Sequence, residues 1–375
     1  MKITILGGGN AGCFTALHFA YYTTIEENIN DVQIELIHDK NILPEKVCQA
    51  TFPEPPQLLW SALGIDWYNN PIDATIKTGI LYENWGKKKE TFMHPFPFDT
   101  MGIHFSPKKL QETVLKCGLF EVSDRNVNSY DDIDSDYIFD CRGRPILDNI
   151  SGWGDYIPLD NPLNAVILGQ SQNREPNINW TRTVATPDGW TFVIPNTTNT
   201  TSYGYLYNHD ITSDLEAEEN FTELFDVVPT DKLRFKNYVA RTPIIDNRII
   251  LNGNKLFFLE PLEATAFTTY LDWARIIYSW IFYNESPIDA AEQIKKQIFQ
   301  IKNFILWHYQ FGSKYDTPFW NYAKTLLPDD PEMYDVIQSV SQMDDDGLFV
   351  RGKDNVGYGI WQRGSVKNWY DGVVI

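Results

Sequence analysis

The chain lacks several patterns that mark particular classes of protein. Its four cysteines (Cys13, Cys48, Cys117 and Cys141) include no CxxC pair, and its six histidines include no HxxxH spacing. The sequence therefore offers neither a disulfide framework nor a zinc site, and this cysteine usage favours a reducing compartment.

Basic residues are also scarce, with 31 Lys and Arg against 50 Asp and Glu and a formal net charge of −19. Phosphate binding needs clustered positive charge, so neither nucleic acid nor an anionic membrane is expected as the main partner. The most apolar late run, WARIIYSWIFY, contains Arg275 and is too short to span a bilayer. The apolar start before the glycines is too short for a signal peptide, so we expect a soluble, cytoplasmic protein.

Apolar residues are plentiful, at 43% of the chain, and their pattern near the N-terminus predicts an α/β fold. KITILGGGNAGCFTALHFAYY predicts a strand, a glycine turn and a helix. DVQIELIHD (31–39) predicts the second strand of a βαβ unit, and DSDYIFDCRG (134–143) predicts a further buried strand.

The rest of the chain alternates between strand-rich and helix-rich segments. Residues 146–235 contain short alternating runs such as GWTFVIP and TSYGYLY, which predict an antiparallel sheet in a lid or second lobe. RIILNGNKLFFLEPLEATAF predicts strand, turn and helix. From Tyr270 onward the pattern is mostly helical, with one long helix from Ala290 to about Gln310.

Gly7, Gly9 and Gly12 satisfy G-x-G-x-x-G directly after a strand and at the start of a helix. Such glycines allow backbone N–H groups to approach a pyrophosphate, so the motif predicts a dinucleotide site; a fortuitous glycine turn is the alternative. Asp39, after His38 at the end of the second strand, is a candidate partner for an adenosine ribose or a solvated turn residue.

ATIKTGILYENW (74–85) predicts one β-strand with a lysine in its middle. Continuous alternation would place Ile76, Ile80 and Tyr82 on one face and Lys77 on the other. Lys77 then either lies on a wet face or projects into a cavity.

FFLEPLEATAF predicts that Pro261 is the first residue of a helix, with Glu260 before it and Glu263 in the first turn. Acidic residues there suit the helix dipole without any catalytic role. A catalytic Glu263 is the alternative.

Seven stretches occur in a telling order: the N-terminal glycine turn, EKVCQAT (45–51), ATIKTGILYENW, FDCRG (139–143), GWTFVIP, EPLEATAF and YDTPFW (315–320). Together they resemble signatures of the flavin-dependent halogenases of the tryptophan halogenase family, over residues 1 to about 325. The resemblance implies a Rossmann-like FAD-binding fold of the flavin monooxygenase type, with an interwoven substrate lobe and a helical C-terminal part.

The resemblance also implies a division of the chain. Residues 1–325 would form a discontinuous module, with FAD-binding segments near 1–57, 100–145 and 236–285 and substrate-lobe segments near 58–99 and 146–235. Residues 286–375 would form a mainly helical part that completes the substrate lobe.

In that family, reduced FAD and dioxygen convert halide to hypohalous acid, and a lysine delivers the halogen to an electron-rich aromatic ring. By motif position the lysine is Lys77, and Glu263 would orient the oxidant or accept the ring proton. Burial would lower the pKa of Lys77 and make both amine and ammonium accessible. Without a second G-x-G-x-x-G, reduced FAD would come from a separate flavin reductase or through an unmarked nicotinamide site.

The resemblance assigns further residues by motif position. Cofactor contacts would be Gly7, Gly9, Ala11, Gly12, Asp39, Ala50, Asn254 and Phe267; backbone N–H groups of Thr265 and Ala266 would hold halide; Trp190, Phe192, Ile194 and Pro195 would wall the passage to an aromatic small molecule. The passage residues are equally explained as strand core. A homo-oligomer is left open.

Four positions depart from the family pattern. Phe192 replaces tryptophan, Gln49 replaces glutamate, and Asn254 stands where related flavoproteins have an aspartate that binds the ribityl chain. Ala266 replaces glycine, at a cost of about 1 kcal/mol if its φ is positive. The chain is also shorter than typical members toward its C-terminus, so free tryptophan is not an implied substrate.

Two other functions fit parts of this sequence. In a flavin monooxygenase the substrate would be hydroxylated directly, and Lys77 would have no role. In a non-catalytic protein that has kept the flavin fold, the departures at 49, 254 and 266 would be tolerated.

Overall fold

The computed structural model describes residues 1–45, 47–97, 99–145, 154–172, 179–196, 199–343 and 357–374. Its strands are β1 Lys2–Leu6, β2 Gln33–His38, β3 Gln49–Ala50, β4 Thr75–Lys77, β5 Gly79–Glu83, β6 Thr91–Pro95, β7 Gly102–Phe105, β8 Glu121–Asp124, β9 Tyr137–Asp140, β10 Tyr156–Pro158, β11 Ala165–Ser171, β12 Thr181–Thr186, β13 Gly189–Pro195, β14 Thr201–Tyr207, β15 Pro229–Arg234, β16 Tyr238–Ala240, β17 Ile244–Ile245, β18 Ile249–Leu251 and β19 Phe257–Phe258.

The helices are α1 Asn10–Ile25, α2 Glu54–Leu63, α3 Pro107–Val114, α4 Asp214–Phe225, α5 Ala266–Tyr283, α6 Pro287–Gln310, α7 Pro318–Ala323, α8 Pro331–Ser341 and α9 Arg363–Val373. Short 3₁₀ turns lie at Tyr130–Asp132, Gly253–Lys255 and Leu262–Ala264. Within the described residues, no helix combines the length and apolar composition needed to cross a membrane.

A six-stranded sheet in the order β17-β18-β9-β1-β2-β8 forms the first layer. Strands β18, β9, β1, β2 and β8 pair in parallel, and α1 connects β1 to β2. Parallel strands are buried on both faces, which explains why four residues of β1 and four of β2 are buried. The predicted βαβ unit and the buried strand within 134–143 are confirmed.

A seven-stranded sheet in the order β15-β11-β14-β13-β12-β5-β6 forms the second large layer. Strands β11 to β15, from the segment predicted to form an antiparallel sheet, do pair antiparallel to one another. Strand β5 joins them in parallel with β12, so the sheet also recruits an earlier segment. The predicted lobe boundary near 146 lies outside the described residues.

The segment ATIKTGILYENW forms two strands, so the prediction of one continuous strand was wrong. Strand β4 pairs with β7 in a small sheet, whereas β5 belongs to the seven-stranded sheet. Thr78 lies between the two strands, and its N–H donates a hydrogen bond to the carbonyl of Asn179 at 2.6 Å. The break shifts the alternation by one residue, so Lys77 is buried while Ile76 is 37% exposed.

The start of α5 also differs from the prediction, because Pro261 precedes a separate 3₁₀ turn and α5 begins at Ala266. Glu263 (φ 66°) and Ala264 (φ 52°) adopt the left-handed conformation there, at a cost of roughly 1–2 kcal/mol each. Ala266 has ordinary helical geometry, so the backbone strain expected at 266 lies two and three residues earlier.

Downstream, the helical C-terminal part contains α6, which confirms the long predicted helix. Its N-cap is Ser286, whose side chain accepts hydrogen bonds from the N–H groups of Ile288 and Asp289. All the regular elements described after residue 286 are helices, namely α6, α7, α8 and α9. Residues 344–356 and 375 lie outside the described residues.

The glycine turn offers a matched test of why its glycines are needed. A Cβ on Gly12 would lie within 3.0 Å of the carbonyl oxygen of Gly7, whereas a Cβ on Gly9 would meet no atom within 4 Å. We expect Gly12→Ala to lower the free energy of unfolding by about 1–3 kcal/mol, although alanine normally favours helices. Gly9→Ala should leave it nearly unchanged. Denaturant unfolding of both variants checks this; equal stability would contradict it.

Candidate functional site

Two adjoining cavities are lined by residues of the six-stranded and seven-stranded sheets. The glycine cavity, about 210 Å³, is bounded by the glycine turn and Asp39. The lysine cavity, about 400 Å³, is bounded by Lys77 and Glu263. Their shared lining residues are Asn10, Leu43, Pro44, Glu45, Asn254 and Tyr270, so the two cavities form one continuous depression.

The glycine cavity gathers one group of predicted site residues. These are Gly7, Gly9, Ala11, Asp39 and Asn254. Gly12 does not line it, and acts instead by letting α1 approach the carbonyl of Gly7. The Asp39 carboxylate accepts hydrogen bonds from the backbone and side-chain nitrogens of Asn41, both at 2.8 Å, and so serves the local turn as well.

The first turn of α1 points into the glycine cavity without a side-chain cap. Gly9 is the N-cap residue, and it has no side chain that could bond the free N–H groups of this turn. Arg125 also lines the cavity. A helix N-terminus with free amides and a nearby cation has the chemistry of an anion site.

The lysine cavity gathers the second group. Its lining includes Ala50, Lys77, Trp190, Phe192, Ile194, Asn254, Glu263, Thr265, Ala266 and Phe267. Pro195 ends β13 and does not line the cavity. Sequence positions from 50 to 267 therefore converge on one chamber, which two sheets and the start of α5 enclose.

Lys77 is fully buried, although lysine seldom is. Within the described residues its Nζ has no hydrogen-bond partner. The ammonium lies 5.1 Å from the ring centre of Phe96 and 5.9 Å from that of Phe52. Burial lowers its pKa from 10.5 to about 7, although the charge of Glu263 opposes the shift. The amine and the ammonium are therefore both accessible near neutral pH.

The carboxylate of Glu263 is also buried, but it is surrounded by donors. Tyr82 donates its hydroxyl to Oε1, and Trp361 donates its indole N–H to Oε2 at 3.0 Å. His308 Nε2 lies 3.2 Å from Oε1, and His94 Nδ1 lies 3.4 Å from it. These four residues and Glu263 are called the carboxylate cluster below.

The cluster keeps Glu263 ionised. Burial by itself raises the pKa of this carboxyl, but the charge of His94 and the hydrogen bond from His308 lower it well below its usual value. Burial and the charge of Glu263 raise the pKa of the Tyr82 hydroxyl, which therefore keeps its proton.

Sequence reasoning found Glu263 but missed the four residues around it. They come from β5, β6, α6 and the segment before α9, and no motif or spacing joins them. The left-handed turn at Glu263 directs its carboxylate toward these four residues. The helix start predicted from the sequence did not include this turn.

A second buried carboxylate fixes the wall of the lysine cavity. Glu260 accepts hydrogen bonds from Trp190 Nε1 and Asn161 Nδ2, both at 2.6 Å, and from the hydroxyl of Tyr309 at 2.8 Å. Burial raises the pKa of Glu260 to about 7 although these donors oppose it. Glu260 therefore accepts the hydrogen bond that positions Trp190. The sequence had suggested instead that Glu260 interacts with the dipole of the following helix.

The departures from the family pattern also have a local structural setting. The ring of Phe192 packs on Gly204, where any side chain would overlap it. Gln49 donates its amide to the carbonyl of Val47 at 3.5 Å. The carbonyl of Asn254 accepts from the Tyr238 hydroxyl at 2.6 Å, and its side chain lines both cavities.

Solved structures of flavin-dependent halogenases share this fold. BrvH, a flavin-dependent halogenase from Brevundimonas sp. BAL3, superposes with a TM-score of 0.78 over 99% of this chain and 89% of its own, at 18% identity. MibH, a lathipeptide tryptophan 5-halogenase, superposes with a TM-score of 0.79 over 98% of this chain and 85% of its own, also at 18% identity. The predicted Rossmann-like fold of this class is confirmed.

Curated relatives match over part of the chain. Tryptophan 7-halogenase RebH from Lentzea aerocolonigenes is 26% identical over 218 residues, which are 52% of this chain and 39% of the relative. Tryptophan 6-halogenase ThaL from Streptomyces albogriseolus is 26% identical over 210 residues, again 52% and 39% of the two chains. The alignments thus span about two fifths of the curated relatives.

The family model described as tryptophan halogenase matches residues 2–117 and 121–357, which is nearly the whole sequence. This match includes the glycine turn, Lys77 and the carboxylate cluster apart from Trp361. The chain therefore belongs to the tryptophan halogenase family.

Proposed function

We propose that this protein is a two-component, FAD-dependent halogenase that acts on an electron-rich aromatic small molecule of the indole or phenol type. The observation that carries the proposal is Lys77, a lysine with no exposed surface and no hydrogen-bond partner in the described structure, at the wall of a 400 Å³ cavity. A buried, unpaired lysine costs stability, and such residues concentrate at functional sites.

The two cavities fit FAD. Its pyrophosphate would lie at the free amides of α1 beside Gly9, where added negative charge suits the helix dipole. The adenosine ribose would meet Asp39 in the glycine cavity, and Asn254 lies where that cavity joins the next. The flavin ring would lie in the lysine cavity against Ala50 and Phe267.

Halide would bind near the start of α5. The left-handed residues Glu263 and Ala264 turn the chain so that Thr265 and Ala266 begin a helix at the cavity wall. Backbone N–H groups at a helix N-terminus favour an anion. When bound, reduced FAD together with dioxygen and halide would supply hypohalous acid.

Lys77 would hold hypohalous acid and polarise or accept its halogen, and the mainly apolar walls of the cavity would limit the loss of the oxidant to water. With Lys77 as an ammonium, an aromatic carbon attacks the halogen and a carbon–halogen bond forms as the halogen–oxygen bond breaks. The oxygen leaves as water after taking a proton from Lys77. The ring C–H bond then breaks, and its electron pair restores aromaticity. Glu263 accepts the ring proton on its ionised carboxylate.

The reducing equivalents would come from a separate flavin reductase, because the sequence has one G-x-G-x-x-G. Trp190, held by Glu260, and Phe192 would separate the substrate from the flavin ring. A cytoplasmic setting, where reduced flavin and reductases occur, is part of the proposal.

Removing the lysine tests the proposal. Lys77→Ala should abolish halogenated product but leave oxidation of supplied reduced FAD running, because the variant loses only the group that delivers halogen. Lys88→Ala, at an exposed lysine, is the matched control and should keep full activity. Mass spectrometry of products from an indole and phenol panel, with a generic reductase, makes the measurement. Undiminished product from Lys77→Ala would refute the assignment.

Halide dependence separates this function from direct hydroxylation. We expect product formation to require chloride, bromide or iodide, since the halogen atom ends up in the product. The measurement is the product mass with and without added halide in a halide-free buffer. A hydroxylated product formed equally well without halide would favour a flavin monooxygenase.

Flavin binding tests the non-catalytic alternative. We expect FAD to bind with a Kd below tens of micromolar, and Gly9→Ala to weaken binding about tenfold because its Cβ enters the space proposed for the pyrophosphate. The unchanged stability predicted for this variant makes the comparison clean. Titration of FAD fluorescence measures both. Failure of the unaltered protein to bind would favour a non-catalytic flavin-fold protein.

A further inference from the structure

His308 lies in the carboxylate cluster, and neither the sequence motifs nor the proposed reaction assigns it a task. Its ring is fully buried in α6. Trp369 packs against it with ring centres 3.8 Å apart, and Phe304 packs edge-on at 4.8 Å. The imidazole is therefore held in one orientation beside Glu263.

The hydrogen bonds of His308 determine where its protons lie. Nδ1 is 2.7 Å from the carbonyl oxygen of Phe304. A carbonyl only accepts hydrogen bonds, so Nδ1 carries a proton. The other nitrogen, Nε2, then faces Oε1 of Glu263 at 3.2 Å. A neutral imidazole with its proton on Nδ1 would turn a lone pair toward a carboxylate, so one further proton must lie between Nε2 and Oε1.

The neighbours of Glu263 decide which partner carries that proton. Tyr82 donates to Oε1 and Trp361 donates to Oε2, and an indole N–H can only donate. Hydrogen bonds donated to both oxygens favour the ionised carboxyl. The other titratable groups that face the pair are His94, 3.4 Å from Oε1, and Lys77, whose charge also acts on Glu263. The arrangement is that of an imidazolium paired with a carboxylate.

We propose that His308 is the positioning residue that holds Glu263 in its ionised, base-competent form through an imidazolium–carboxylate pair. Its catalytic meaning rests on the proposed function, whereas the pair itself does not. Without a cationic partner a buried carboxyl tends to stay protonated, and a protonated Glu263 could not take a proton from the ring.

The proton balance of the step is simple. The ring C–H bond breaks, the electron pair returns to the ring, and the proton passes to a carboxylate oxygen of Glu263. His308 keeps both of its protons, one toward Phe304 and one toward Glu263. It therefore acts through Glu263 and need not touch the substrate.

The pair can be observed without flavin or halide. Nitrogen-15 NMR of the histidine side chains in the flavin-free protein distinguishes an imidazolium from a neutral tautomer, and His308→Gln identifies the His308 signals by their loss. We expect His308 in the unaltered protein to show the nitrogen-15 signature of an imidazolium, because both of its ring nitrogens face acceptor oxygens. In Glu263→Gln, which keeps the side-chain shape, His308 should become the neutral tautomer with its proton on Nδ1.

Two results would overturn the pair. One is a neutral His308 in the unaltered protein. The other is a nitrogen-15 signature of His308 that Glu263→Gln leaves unchanged. The Glu263→Gln variant keeps His308, so its nitrogen-15 signals can be measured directly. Poor folding of His308→Gln therefore does not remove the test.

Activity then tests the catalytic meaning. We expect His308→Gln to lower halogenation by roughly a hundredfold, the lower range for general base catalysis, with unchanged oxidation of reduced FAD. His18→Gln is the matched control, since His18 is equally buried but packs against Phe19, Tyr22 and Tyr278, away from the cluster. Full activity of His308→Gln would overturn the positioning role.

The two arms fail separately. If the unaltered protein makes no halogenated product but His308 is an imidazolium that depends on Glu263, the proposed function is wrong and the pair stands. If halogenation depends on Lys77 but His308 is neutral, the function stands and the pair is wrong.

Discussion

A buried carboxylate that must be hydrogen-bonded is the constraint on which the rest of this structure depends. Glu263 is only 2% exposed, and a buried ionised carboxyl without partners would cost several kcal/mol. Its hydrogen-bond donors come from β5, α6 and the segment before α9, and His94 of β6 lies 3.4 Å from it. To satisfy one side chain, the fold has to bring α6 and the segment before α9 against β5 and β6.

The two charged groups at the lysine cavity are treated in opposite ways. Glu263 receives hydrogen bonds from a rigid aromatic surrounding, while Lys77, also buried, has ring faces near its ammonium and no hydrogen-bond partner in the described structure. Burial shifts the pKa of Lys77 to about 7, and the cluster holds that of Glu263 low. The proposed function uses this difference, because it assigns halogen delivery to the amine and proton removal to the carboxylate.

Local patterns predicted the elements that carry the site better than they predicted the turns within it. The predictions of the first strand, the glycine turn and the first helix were correct. At Gly7 and Gly12 a Cβ atom would overlap neighbouring backbone atoms, so these positions require glycine. The strand through Lys77 and the helix start at Pro261 were wrong. At Lys77, pairing of β4 and β5 with different sheets breaks the strand. At Pro261, the left-handed turn at Glu263 delays the start of the helix. Local residue propensities predict neither change.

The sequence by itself determined the α/β class and the dinucleotide-type turn, and its resemblance to the family singled out Lys77 and Glu263 as candidates. The fold class and the turn follow from periodicity and short motifs, which act between residues close in the chain. Only the tertiary structure decided that Lys77 is buried and that His94 and His308 surround Glu263. Burial and long-range pairing depend on how distant segments pack, and a buried charge accepts whichever donors that packing brings within reach.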